Sequence, residues 1–232
     1  MFFTPIALIF FVALWFLFAL LLGLIQIGIL QYVFESMGVS RRYMLALLLF
    51  SLLGSYVNIP IAHLPGEPVR MGQVVDFYGM QYVVPVGGSP GTVLAVNVGG
   101  AVIPFILSVY LTFKHRLLGH SLLAVALVAV VVHSMARPVP GVGIAVPIFI
   151  PPVVTAIVAL GLRRWNPAPL AYIAGSMGTL IGADLLNLSK VQDLGAPVAS
   201  IGGAGKFDGI FLTGVVAVLL TSILSPGRRG RA

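Results

Sequence analysis

Long apolar runs, each ended by glycine, proline or a short basic cluster, recur along the whole chain and limit what it can fold into. A hydrocarbon core about 30 Å thick is crossed by roughly 20 helical residues. Seven stretches meet that length, at about 3–33, 43–62, 92–113, 117–135, 142–162, 169–188 and 207–224. Of the 232 residues, 59% are hydrophobic and 8% charged, against roughly 25% charged in a soluble domain. That much apolar surface cannot be hidden in a water-soluble core. The expected fold is an all-α integral membrane protein, a single transmembrane domain over 1–232 formed by a bundle of about seven helices. The opening MFFTPIALIFFVALWFLFALLLGL lacks a basic n-region and a small-residue cleavage site, so it reads as a retained helix.

The distribution of charge gives the bundle a direction. A net charge of +7 would suit nucleic acid if the basic residues formed a stripe interleaved with aromatics. They sit instead in the short connections, and no nucleic-acid partner is expected. One alternate set of connections holds Arg41, Arg42, Lys114, Arg116, Arg163, Arg164, Arg228, Arg229 and Arg231; the other holds Arg70, Arg137, Lys190 and Lys206. Basic residues favour the cytoplasmic side, which puts the N-terminus outside and the C-terminus in the cytoplasm. The absence of cysteine removes disulfides, thiolate nucleophiles and thiolate metal sites.

Three connections carry further expectations. Within 63–91, GQVVDFYGMQYVVPVGG places β-branched and aromatic residues on both sides of Gly79, the pattern of a small β-hairpin. Pro147, Pro151 and Pro152 are expected to kink or break the fifth span. The Gly-rich SKVQDLGAPVASIGGAGK ends in the small apolar tract PVASIGGAG, suited to a re-entrant half-helix.

Ionisable groups left in or near the spans are where function concentrates, since each costs at least about 2.5 kcal/mol at a helix centre. Of the acids, only Glu35 falls on the basic side; Glu67, Asp76, Asp184, Asp193 and Asp208 map to the outer side. The same layer receives Asn58 and His63, Asn97, His133 and Arg137, and Asn187 from the ends of other spans. Asp184, in GSMGTLIGADLLNL, lies about a turn inside the outer boundary, with Arg137 or Lys190 as alternative ion-pair partners. Gly175, Gly178 and Gly182 precede it at spacings of three and four, on one helical face open to a neighbouring backbone. Asp208, in GGAGKFDGIFLTG, opens the last span behind Gly202, Gly203 and Gly205, where it serves either as a first-turn cap or as a second acid. The backbone N–H groups of this turn are suited to an anion or a substrate carbonyl. Two carboxylates within roughly 3 Å share one proton, which supplies both a base for water and an acid for a carbonyl oxygen. The expected catalytic pair is Asp184 and Asp208, with Asn58, Asn97, His133, Asn187, Gly203 and Gly205 around the substrate. No His-Glu-x-x-His spacing, nucleophile elbow or phosphate loop is present, and neither metal nor cofactor is expected.

At GTLIGADLLNL (178–188), IGGAGKFDGIFLTG (201–214) and NVGGAVIP (97–104), the chain resembles a bacterial and archaeal membrane family catalogued as domain of unknown function 1614. The resemblance implies an integral protein of a prokaryotic cytoplasmic membrane and brings no activity. A looser similarity is to intramembrane aspartyl proteases of the presenilin and prepilin peptidase type, which carry one aspartate in a Gly-x-Gly-Asp motif. Gly182-Ala183-Asp184 keeps one glycine before the acid, and Gly205-Lys206-Phe207-Asp208 displaces it. Three functions follow as alternatives. The first is a hydrolase acting on a membrane-embedded peptide or lipid-linked substrate. The second is a proton- or ion-coupled carrier using the same acids. The third is an assembly partner without turnover, in contact with membrane lipids.

Overall fold

The computed structural model describes residues 15, 23, 26–65, 70–77, 80–86, 91–139, 143–190, 198–203 and 209–225. The protein is mostly helical. α1 (Gln26–Ser36) and α2 (Arg41–Gly54) meet at a bend of 113°. After α2 come β1 (Asn58–Leu64), a hairpin of β2 (Arg70–Phe77) and β3 (Met80–Val86), and β4 (Thr92–Asn97). A π-helical turn, Val98–Val102, then leads into α3 (Ile103–Lys114), followed by α4 (Leu118–Met135), the short strands β5 (Arg137–Val139) and β6 (Gly143–Ala145), and α5 (Ile150–Leu162). α6 (Ala168–Thr179) continues through a second π turn, Leu180–Asp184, and a 3-10 turn, Leu185–Lys190; β7 (Val198–Ile201) and α7 (Gly209–Leu224) follow. Among the described residues, Leu118–Met135 and Ala168–Lys190 are long and apolar enough to cross a membrane, and the bent α1–α2 pair together passes the same test.

α6 is the hub, with every residue from Ala168 to Thr179 buried. It packs against α3, α4, α5 and α7. Gly182 makes this possible on the α4 side, where a methyl group would lie 2.5 Å from the Ala129 carbonyl oxygen. The three glycines of α6 and the π turn that continues it do not share one partner. Gly178 and Gly182 face Val128, Ala129 and Val132 of α4, whereas Gly175 faces Gly214 of α7 and Thr155 of α5. A helix surrounded on all sides needs only the 60° or so between positions three apart to address a different neighbour. The outward surfaces carry large apolar side chains, among them Leu49, Phe50, Phe105, Phe113, Leu122 and Val130, a surface suited to hydrocarbon rather than water.

Several expected boundaries change. The second span stops at Gly54 rather than continuing to residue 62, because Asn58–Leu64 is a strand. Pro60 cannot extend a helix but fits the irregular point in the β1 pairing between Pro60 and Ala62. The third span does not begin as a helix at residue 92, since Thr92–Asn97 pairs antiparallel with β1. The fifth is broken rather than kinked: Gly143–Ala145 is a strand and α5 starts only at Ile150, so Pro151 and Pro152 occupy its first turn, where no intrahelical N–H is needed. The tract PVASIGGAG is not a half-helix over its described part, because Val198–Ile201 is a strand parallel to β4. The hairpin expected within 63–91 forms as β2 and β3, with Phe77 opposite Met80.

The basic connections gather at one end of the bundle. Lys114 Nζ donates to the Gly38 carbonyl and His115 Nε2 lies 3.0 Å from that of Met37, tying the α1–α2 elbow to the end of α3. Ser36, Trp165, Asn166 and Ser225 line one shared recess, which brings the α5–α6 connection and the end of α7 to the same level. The three-stranded sheet, in the order β1-β4-β7, lies at the ends of α2, α3 and α6 remote from these connections.

Candidate functional site

The sheet end of the bundle carries two polar clusters joined by the chain around Asp184. In the first, Asn97 is 1% exposed and closes β4. Its Oδ1 accepts the Gly100 N–H at 2.7 Å, capping the π turn, and its Nδ2 donates to the Ser55 carbonyl at 2.8 Å and to Asn58 Oδ1 at 3.1 Å. Ser200 of β7 donates to the same Asn58 oxygen at 2.6 Å. Ser51 Oγ donates to the Gly99 carbonyl at 2.9 Å, so α2, β1, β4 and β7 are pinned together around Asn97 and the glycine pair that follows it.

The second cluster lies where α6 changes pitch. A π turn followed by a 3-10 turn leaves carbonyls without regular helical donors, and π turns recur at functional sites. Asn187, fully buried, supplies the missing donors: its Nδ2 reaches the Gly182 carbonyl at 3.0 Å and the Ala183 carbonyl at 2.9 Å. His133 Nδ1 of α4 lies 3.1 Å from the same nitrogen, and Lys190 Nζ donates to Asn187 Oδ1 at 2.9 Å. Lys190 thus fixes which way the amide points, with Oδ1 toward the ammonium and Nδ2 toward His133 and the two carbonyls. Asn187→Leu keeps the volume and strands both carbonyls; it is expected to cost about 2–3 kcal/mol, seen as a melting midpoint lower by about 5–10 °C in detergent. A midpoint shifted by less than about 2 °C would mean that Asn187 does not hold the break.

Between the clusters, Asp184 closes the π turn, partly buried, and its Oδ2 accepts the Gly202 N–H at 2.8 Å. Lys190 donates to Asn187, Arg137 is exposed on β5, and neither is paired with Asp184 among the described residues. Asp184 therefore has neither expected ion-pair partner, and Gly202 is its hydrogen-bond donor among the described residues. Gly202 and Gly203 both adopt positive φ, +89° and +84°. This left-handed turn at the end of β7 aims the Gly202 N–H at the carboxylate, which suits glycine and few other residues.

Of the expected site residues, Asn58 and Asn97 are in direct contact, His133 and Asn187 are in direct contact, and Gly203 adjoins the donor to Asp184. Asp208 and Gly205 lie outside the described residues, as do Glu67, Asp193 and Lys206. His63 is exposed on β1, opposite Val93. Ser55 and Ser200 were not singled out from sequence, whereas Gly202 was, as part of the Gly-rich turn whose N–H groups suit an anion. The signal for Ser200 was its place two residues before a glycine pair, as in the alternating pattern of a strand, and that pattern is too short to separate from a Gly-rich loop.

These features define a class: an apolar helical protein whose central helix breaks into a polar layer roofed by a small sheet. The chain belongs to the family described as protein of unknown function, DUF1614, whose model matches residues 52–220, from the end of α2 to α7. The three segments that carried the resemblance all fall within that match. Comparison with curated proteins and with solved structures gives no match.

Proposed function

We propose that this protein is an intramembrane aspartyl-type hydrolase of seven spans, N-terminus outside and C-terminus cytoplasmic, with Asp184 and Asp208 acting near the outer face of a prokaryotic cytoplasmic membrane. The observation that carries the reading is the 2.8 Å hydrogen bond from Gly202 N–H to the Asp184 carboxylate. It holds the acid against the segment that reaches Asp208 six residues later, immediately before α7 begins at Gly209. α6 and α7 pack backbone to backbone at Gly175 and Gly214, a closeness that would let acids at their ends share one site. In the reaction one carboxylate takes a proton from water as the oxygen attacks a carbonyl carbon, and the other, protonated, gives its proton to the carbonyl oxygen. Collapse of the tetrahedral intermediate returns a proton to the leaving group. β7 has a sheet partner on one side only among the described residues, so its other edge offers main-chain bonds to an extended peptide beside Asp184. The short α3 and α7, about 25 Å long when the π turn is included with α3, would leave the sheet just below the outer surface, where protein must enclose it.

The chain contains no cysteine, which gives a test that needs no substrate. The double variant Asp184→Cys, Asp208→Cys in membranes is expected to form an intramolecular disulfide under mild oxidant, because that bond requires Cα atoms within about 7 Å. Failure to cross-link, with either single cysteine reactive toward a maleimide, would sink the dyad. The carrier reading has its own support in Ser108, Thr155 and Thr179, buried hydroxyls on α3, α5 and α6 with no hydrogen-bond partner among the described residues. Such groups suit a polar path leading inward from Asp184. Ion-dependent uptake into vesicles that is lost in Asp184→Asn would favour it.

A further inference from the structure

α2 and α3 form a V. At one end they close tightly: a methyl on Gly54 would lie 3.0 Å from the Gly99 nitrogen, and Ser51 bonds the Gly99 carbonyl. Toward the basic end the two helices separate and touch only sparsely. The space between them is a cleft of about 610 Å³ whose walls include Leu47, Phe50, Ile106 and Leu107, continued toward the apex by a second cavity of about 420 Å³ that shares Leu47, Phe50 and Ile106. Its wide end is polar. Ser40, Tyr43, Tyr110 and Lys114 line it, with the Lys114 ammonium 5.2 Å from the centre of the Tyr110 ring. Arg41 and Arg42, exposed in the first turn of α2, lie between Ser40 and Tyr43 in the chain without lining the cleft themselves, and Arg116 is exposed in the turn after α3. Against these cations stands one acid nearby in sequence, Glu35, whose Oε1 accepts from Gln31 at 2.7 Å.

From this geometry we infer that the α2–α3 cleft binds an anionic glycerophospholipid, its phosphate at Lys114, Arg41 and Arg42 and one acyl chain along Leu47, Phe50 and Ile106 toward Gly54. The charge decides the occupant. A cleft with an apolar floor alone would take any lipid tail, whereas a cationic rim beside a tyrosine pair selects a negative headgroup, as basic pockets between spans do. Lys114 has three N–H donors and spends one on Gly38, so the ammonium can hold the elbow and a phosphate oxygen together. The site lies at the end of the bundle away from Asp184 and does not depend on what that acid does.

The test uses the full chain in nanodiscs of equal phosphatidylglycerol and phosphatidylcholine, extracted into mild detergent, with retained lipid read by native mass spectrometry. The parent is expected to retain phosphatidylglycerol over phosphatidylcholine by about tenfold. Arg41→Gln, Arg42→Gln, Lys114→Gln together should bring the ratio to parity, Lys114→Arg should preserve it, and Ile106→Trp, which fills the cleft, should reduce retention of both lipids. Circular dichroism and melting confirm that each variant is folded. Parity in the parent, an unchanged preference in the folded triple variant, or full retention in folded Ile106→Trp would each overturn the site.

Discussion

Asp184→Asn is expected to lower turnover by at least about 10³-fold, within the range for loss of a general acid or base, while leaving the melting midpoint within about 2 °C of the parent. The two outcomes separate because Asn is nearly isosteric and its Oδ1 still accepts the Gly202 N–H that Asp184 Oδ2 accepts at 2.8 Å. Only the ability to carry and release a proton is lost. Asp184→Ala removes both and should lose stability as well, by about 1–3 kcal/mol for a buried donor left unpaired. If the carboxylate only anchors the β7 turn, Asn will be tolerated in every assay and Ala will not. The measurement is cleavage of membrane-spanning reporter peptides in proteoliposomes, in parallel with melting. Full activity in Asp184→Asn would refute an acid–base role for this residue.

Gly202→Val is expected to have the largest effect on folding. The residue sits at φ +89°, and a Cβ there would lie 2.6 Å from both Cβ and the backbone nitrogen of Ala101 and 2.8 Å from the Gly100 carbonyl carbon. Those neighbours belong to the π turn that Asn97 caps, so neither side can yield without breaking the first polar cluster. Backbone strain for a β-branched residue at positive φ adds to the overlap. A loss above about 3 kcal/mol is expected, seen as a midpoint lower by about 6–12 °C or as failure to accumulate in the membrane. Gly203→Ala, one residue on in the same kind of turn, serves as the milder comparison. A Gly202→Val protein that melts with the parent would show that the turn is not set by this contact.

The effects differ in what they test. The aspartate substitution asks whether a group held by the fold reacts, and the glycine substitution asks whether the fold depends on the strand end that holds it. Asn187→Leu falls between, since it leaves the backbone conformations allowed and removes the donors that quiet the break in α6.

Much of the architecture was legible before any coordinates. Leu118–Met135 falls within two residues of its expected bounds, and α6 with its two altered turns spans Ala168–Lys190 against an expected 169–188. Those segments are long and continuously apolar, and length is what the bilayer selects for. The hairpin of β2 and β3 was legible from the β-branched and aromatic residues on both sides of Gly79. The misread segments share a cause. Asn58–Leu64, Thr92–Asn97 and Val198–Ile201 are each short apolar runs without helical periodicity, and a run of four to seven such residues reads equally as strand or as helix end. Only pairing distinguishes them, and the partners lie as far apart as β4 and β7.

The same division holds for the site. Asp184, Asn97, Asn187 and His133 stand out from sequence because a polar side chain inside an apolar run is costly and therefore informative. Their contacts do not follow from that cost. Asn187 meeting His133 requires α6 to pack against α4, which needs the small surface of Gly178 and Gly182, and Asn97 meeting Asn58 requires β1 and β4 to align in register. From the sequence alone came the apolar, helical character of the protein, the clustering of basic residues in alternate connections and the short list of costly polar groups, because each is a local free energy counted residue by residue. The tertiary structure decided that α6 gives way to the π turn that Asp184 closes, that a three-stranded sheet roofs the break, and that the donor to the carboxylate is Gly202. Each of those depends on close approach between segments far apart in the chain, and no local pattern of side chains encodes that distance.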